Sequence, residues 1–194
     1  QNFLSDAEAE GIQEAAAPHV SMSGVSVKDV DRGKDVTTWR TSATHFLSSR
    51  RHRPLLDIEQ RVQRITRVNI SHSEDTQVLH YQKKGRYLAH NDFFDPKDYA
   101  GDPGTMAMIE AGARNRLATV FFYLNDVEEG GHTTFPRAGD LPIPVDEHGQ
   151  ADYSNCEQGI QVKPEKNKVI IFYSLHPDGT MDHNSLHGAC PVKK

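Results

Sequence analysis

The chain has 194 residues, 36% of them hydrophobic and 25% charged, with a formal net charge of −5. That is enough for one sizeable core of a globular domain, and the acidic balance argues against a nucleic-acid partner or an anionic membrane surface. No run approaches the roughly 20 consecutive apolar residues of a transmembrane helix and no signal peptide stands at the start, so no membrane span is expected within the chain. It begins at Gln1 without an initiator Met, which leaves room for a targeting segment removed earlier. The dense basic run Arg50-Arg51-His52-Arg53 reads as a solvated loop.

In chain order, FLSDAEAEGIQEAAAPHV opens with Ser5 three residues before Glu8, the spacing of a capping box, and Pro18 closes the helical pattern. Between Ser21 and Ser49 the apolar residues thin to pairs such as Val25 and Val27, read as strands with a mobile loop; Trp39, the only Trp, reads as a packing residue. After Pro54, Leu55, Ile58, Val62 and Ile65 recur at steps of three and four, one apolar face of a helix that should lie against a sheet. From Thr76 the pattern turns to strands: TQVLHY, YLAHNDFF, LATVFFYL, HTTF, IQVK, KVIIFYSL and SLHGAC. Long helices do not separate them, which favours a mainly antiparallel sandwich or jelly roll with the helices on one outer face. Two long loops, from Asp95 to Arg114 and from Pro136 to Gln158, interrupt these strands.

The chemistry concentrates at His90-Asn91-Asp92. If that segment is a strand, residues two apart share a face, so the His90 imidazole and the Asp92 carboxylate converge. A second imidazole, from His187 in the distant SLHGACPV, would complete two nitrogens and one oxygen on one face of a metal. His183 and His187, four apart, would suit zinc on a helix, but Asp182, Asn184 and Gly188 break any helical period. Spacing alone leaves iron, zinc and coincidence open among eleven histidines. Cys156 and Cys190 are too few to define a disulfide framework, and Asn69-Ile70-Ser71 fits a glycosylation acceptor.

Taken together, QVLHYQKKGRYLAHNDFF, RLATVFFYLNDVEEGGHTTFP and VKPEKNKVIIFYSLHPDGTMDHNSLHGACPV resemble the prolyl 4-hydroxylase family of Fe(II)/2-oxoglutarate-dependent dioxygenases, in its plant, algal and protist form. FLSDAE and WRTSATHFL agree with the resemblance, which covers most of the chain. It implies a double-stranded β-helix, mainly β with packed helices, in which His90, Asp92 and His187 hold Fe(II). It also implies 2-oxoglutarate as cosubstrate, O2 as oxidant and ascorbate as reductant. Relatives that halogenate lack the carboxylate, so Asp92 favours hydroxylation. Tyr81 matches a tyrosine that hydrogen-bonds the cosubstrate, and Thr119 is a further candidate for that pocket. Tyr87 and Arg116 match positions lining the peptide groove. The expected activity is peptidyl-proline 4-hydroxylation of an extended, proline-rich polypeptide in the polyproline II conformation. The alternatives are a dioxygenase for another peptide residue or a small molecule, and a non-catalytic peptide-binding jelly roll.

The family's lysine for the far carboxylate of 2-oxoglutarate stands ten residues after the last iron-binding histidine, at position 197 here, beyond Lys194. Lys193 and Lys194 sit at offsets of six and seven and do not inherit the role. The resemblance therefore implies a single catalytic domain over residues 1–194, trimmed at both ends, its final strand missing. In relatives the cysteines equivalent to Cys156 and Cys190 can be paired. A bridge here would favour the endoplasmic reticulum or another secretory compartment, although cytoplasmic relatives exist.

Overall fold

The computed structural model describes residues 3–194. Helix α1 (Asp6–Ala16) starts where the sequence places it: the Glu8 amide donates to Ser5 Oγ at 3.3 Å and the Ser5 amide donates to Glu8 Oε2 at 2.9 Å. Pro18 does not stop the chain at once but sits in a short 3-10 turn, Ala17–His19, where its missing amide is no loss. Helix α2 (Arg53–Thr66) carries Pro54 in its first turn and ends at Arg67, which adopts a left-handed φ of 62°. Its expected apolar face is only half used: Leu55 and Ile58 are buried, whereas Ile65 is 53% exposed.

Both helices cover one face of a three-stranded antiparallel sheet made of β1 (Ser21–Met22), β2 (Ser42–Leu47) and β3 (Thr76–Tyr81). Leu4, Ile12, Ala16, Leu55 and Ile58 meet Leu47 of β2 and Val78 of β3 in the main core. Each large aliphatic side chain buried there contributes roughly 1.5–3 kcal/mol. Glu8 and Arg61 join α1 to α2 by an ion pair of 2.6 Å. Val25 and Val27, expected on strands, lie outside any strand, and only a 3-10 turn at Asp29–Asp31 interrupts that connection.

The remaining strands form two facing antiparallel sheets. One contains β4 (Tyr87–His90), β6 (Thr133–Phe135), β7 (Ile160–Val162) and β9 (His187–Ala189) in the order β4-β9-β6-β7. The other pairs β5 (Ala118–Phe122) with β8 (Val169–Tyr173). The last strand thus lies between the fourth and the sixth, the non-sequential order of a jelly roll. A hydrogen bond of 2.7 Å from Tyr123 Oη to Thr133 Oγ1 ties the two sheets together in the interior.

The two long loops differ. The one from Asp95 to Arg114 is not bare: it folds a helix α3 (Pro103–Met108), capped by Asp102, around a small core of Phe94, Tyr99, Met106 and Ile109. The loop from Pro136 to Gln158 is irregular, with one bridge between Val145 and Ala151. Gln158 gathers its ends by donating to Pro136 O and Pro142 O at 2.8 and 2.7 Å. Gly159 then re-enters the sheet at a φ of +78°, so close that a Cβ would stand 2.1 Å from Phe135 O. A disulfide joins Cys156 to Cys190 and fixes this loop to the end of β9. Among the described residues no helix is long and apolar enough to cross a membrane.

Candidate metal centre

His90 and His187 are register partners across β4 and β9, and their rings stand 4.6 Å apart. Asp92 reaches them by a route the strand pattern did not foresee. β4 ends at His90, and Asp92 lies in a bend just beyond it, so its convergence comes from the chain turning out of the sheet rather than from alternation along a strand. Asp92 Oδ1 is 3.7 Å from His90 Nε2, and Oδ2 is 3.6 Å from His187 Nε2. The three donor atoms all lie within 4.8 Å of one another, near enough for one cation to draw them together.

Each imidazole is held from behind in the same way. His90 Nδ1 faces Leu88 O at 2.8 Å and His187 Nδ1 faces Ser185 O at 2.9 Å. A carbonyl only accepts, so Nδ1 carries the proton in both rings and each Nε2 presents its lone pair to the centre. His187 is further set by Phe172 of β8 and Phe135 of β6, whose rings lie 4.5 and 5.8 Å from it. On the facing sheet, Thr119 of β5 donates from Oγ1 to Asp92 Oδ2 at 2.5 Å. The side chains of His90, Asp92 and His187 remain 25%, 15% and 10% exposed, so the donor set keeps a side open to solvent.

The electrostatics suit a cation. Burial, reinforced by the facing His187, pushes the His90 imidazole down to about 3. Burial by itself would raise Asp92, but His187, His90 and the Thr119 hydroxyl together hold its carboxyl below the usual range. Two imidazoles presenting Nε2 and one carboxylate form a donor set that fits Fe(II).

The other sequence-selected residues surround this centre unevenly. Tyr87 stacks on His90 with ring centroids 3.7 Å apart, and burial raises its phenol. Tyr81 closes β3 opposite Ser42, and burial pushes its phenol up to about 12 against the pull of Arg40 and Ser42. Arg116 lies over the Phe94 ring at 5.2 Å and binds both oxygens of Glu74, at 2.7 and 2.9 Å. Thr119, expected in the cosubstrate pocket, has its hydroxyl hydrogen committed to Asp92. Asn69 is exposed, with its amide oxygen capping the turn at Ile70–His72. Lys193 and Lys194 pair with Glu129 and Glu128 at the surface.

Sequence reasoning missed Arg40, Ser42 and Glu74. Arg40 is only 8% exposed, donates to Ser42 Oγ at 3.0 Å and to Gly24 O at 3.2 Å, and places its guanidinium 4.6 Å from the Tyr87 ring centroid. The signal was local: an Arg two residues before a Ser entering a strand shares its face. His183, from the zinc alternative, turns its ring edge to Phe93 at 5.4 Å and is not part of the donor set.

An open-sided donor set of two histidines and one carboxylate, lodged between the sheets of a jelly roll, has the ligand types of a non-haem Fe(II) oxygenase centre. Residues 76–194 match the model of the 2OG-Fe(II) oxygenase superfamily, and the chain belongs to it. It is 36% identical over 192 residues to probable prolyl 4-hydroxylase 3 of Arabidopsis thaliana, a match covering 98% of this chain and 62% of that protein. With probable prolyl 4-hydroxylase 10 of the same plant the identity is 36% over 197 residues, covering 100% of this chain and 63% of that one. The chain thus spans less than two thirds of the length of these relatives. In three dimensions it is similar to a viral collagen prolyl hydroxylase of Paramecium bursaria Chlorella virus-1 in its 2OG complex, with a TM-score of 0.64 and 22% identity. That match covers all of this chain and 87% of the other. A prolyl-4-hydroxylase of Pseudomonas putida follows at a TM-score of 0.56 and 14% identity, covering 100% and 83%.

Proposed function

We propose that the chain is the catalytic domain of a peptidyl-proline 4-hydroxylase. The observation that carries the substrate class is the similarity to plant prolyl 4-hydroxylases along the whole chain. His90, Asp92 and His187 would hold Fe(II) through Nε2, a carboxylate oxygen and Nε2. Fe(II) with 2-oxoglutarate and O2 supplies the oxidising power that turns a proline C4–H into C4–OH, the cosubstrate leaving as succinate and carbon dioxide. The chain's own work is placement. Thr119 fixes the rotation of the Asp92 carboxylate, and the carbonyls of Leu88 and Ser185 fix the two imidazoles. Tyr81 stays a neutral donor at physiological pH, suited to hydrogen-bonding an anionic cosubstrate.

Tyr87 and Arg116, with Arg40 and Glu74 beside them, form the wall against which an extended proline-rich segment lies. A polyproline II segment loses little conformational freedom on binding, and its rings pack on aromatic faces. The Cys156–Cys190 disulfide supports a secretory compartment, where ascorbate would serve as reductant. Incubation of the protein with a proline-rich peptide, Fe(II), 2-oxoglutarate and ascorbate should add one oxygen to the peptide with matching succinate. The His187→Ala variant should do neither. Undiminished activity in that variant removes the metal assignment, and succinate without a peptide mass gain redirects the search to another substrate.

A further inference from the structure

Beside the end of β9 lies a second set of metal-binding donors. Cys156 Sγ, Cys190 Sγ and a ring nitrogen of His132 all lie within 4.8 Å of one another. Three separate segments deliver them: the residue before β6, the long loop, and the residue after β9. The Cys190 amide donates to His132 O at 2.9 Å, and His132 Nε2 faces Cys156 O at 3.1 Å. The first link runs between backbones and the second from the imidazole to a carbonyl, and neither uses the sulfur–sulfur bond. The two donor sets share no residue: His187 opens β9, whereas Cys190 follows its last residue.

We propose that reduction of the Cys156–Cys190 disulfide converts this cluster into a binding site for Zn(II), with His132 as third ligand. The disulfide takes two electrons and two protons from a dithiol, which is itself oxidised to a disulfide, leaving two thiols. Zn(II) then displaces the two thiol protons and binds the thiolates and the imidazole, with water in the fourth position.

The geometry asks for little movement. With Zn–S near about 2.3 Å and Zn–N near about 2.0 Å, a tetrahedral ion spaces its donors about 3.5 to 3.8 Å apart. The two Cα atoms stand 5.9 Å apart, so side-chain rotation alone opens the required gap between the sulfurs. Charge favours the same ion. Two thiolates cancel a divalent cation, so the occupied site is neutral, which suits Cys190 at 2% exposure. Thiolates are also soft donors that prefer zinc, whereas the two imidazoles and carboxylate of the other centre suit iron. The long loop is fastened to β9 in both states, by a covalent bond in one and by a metal in the other.

Co(II), a spectroscopic stand-in for zinc, separates the two sites. The oxidised protein should take up one equivalent without a thiolate-to-cobalt charge-transfer band. After phosphine reduction and anaerobic desalting it should take up two, with that band present and bleached by added Zn(II). His132→Ala and His132→Gln should each weaken the second equivalent by roughly 100-fold and leave the first unchanged. His187→Ala should weaken the first and keep the thiolate band, so failure of the iron assignment remains a separate result. Three outcomes overturn the proposal: a single equivalent in the reduced protein, a thiolate band of undiminished affinity in both His132 variants, or loss of the native circular dichroism on reduction before cobalt is added.

Discussion

Thr119→Val tests whether one hydrogen bond governs the metal centre. The Thr119 hydroxyl donates to Asp92 Oδ2 at 2.5 Å, across the gap between the sheet of β5 and the sheet that carries both imidazoles. Valine keeps the shape and removes the donor. A hydrogen bond to a charged acceptor contributes about 1.5–3 kcal/mol, and without it the carboxylate is free to rotate away from the two Nε2 atoms. Loss of such a supporting bond lowers metal affinity by about 10–100-fold. Anaerobic calorimetric titration with Fe(II), repeated with redox-silent Mn(II), should show a Kd raised by that factor in Thr119→Val and restored in Thr119→Ser. A valine variant that binds metal within about twofold of the parent, a difference of about 0.4 kcal/mol, refutes the reasoning.

Three further outcomes follow from the fold. Burial raises the Tyr81 phenol to about 12, whereas an unfolded tyrosine titrates near about 10. Its contribution is intact below about pH 10 and is lost as pH rises towards 12, so Tyr81→Phe should reduce the alkaline loss of stability by about 2–3 kcal/mol; an unchanged slope in denaturant melts from pH 9 to 12 contradicts this. Ser5→Ala breaks the capping box of α1 and should cost about 1 kcal/mol by urea unfolding, with Ser5→Asp recovering most of it. Gly159→Ala forces a Cβ onto the Phe135 carbonyl at positive φ and should cost about 2–4 kcal/mol in the same assay, where a neutral result would mean that the strand end yields.

The parts of this molecule legible in its sequence are those set by local rules. Ser5 with Glu8, and Pro54 ahead of Leu55 and Ile58, mark the two main helices because caps and apolar steps act within a turn or two. The histidine pair and its carboxylate stood out through their motif context, although the bend that delivers Asp92 did not, since β4 stops two residues short of it. The small core around Phe94, Tyr99 and Ile109 was hidden because Gly, Pro and Asp dominate the intervening loop and its helix is only six residues long. Contacts such as Thr119 to Asp92, or Arg116 to Glu74, join residues 27 and 42 positions apart. Nothing in the local pattern selects those partners, and only the tertiary arrangement of separate sheets brings them together.

That strand order also bears on when the centre comes into being. His90 and Asp92 are available as soon as β4 forms, but His187 arrives from about a hundred residues downstream, on a strand that inserts between β4 and β6 rather than adding to an edge. Closing so long a loop is entropically costly, and the slot for β9 does not exist until both flanking strands are in place. Until β9 docks, the proposed centre therefore has only two of its three donors, and the tridentate arrangement depends on that strand. Capture of a metal by the proposed centre would in this sense be a checkpoint on chain assembly: an ion held by all three ligands would certify that β9 has docked.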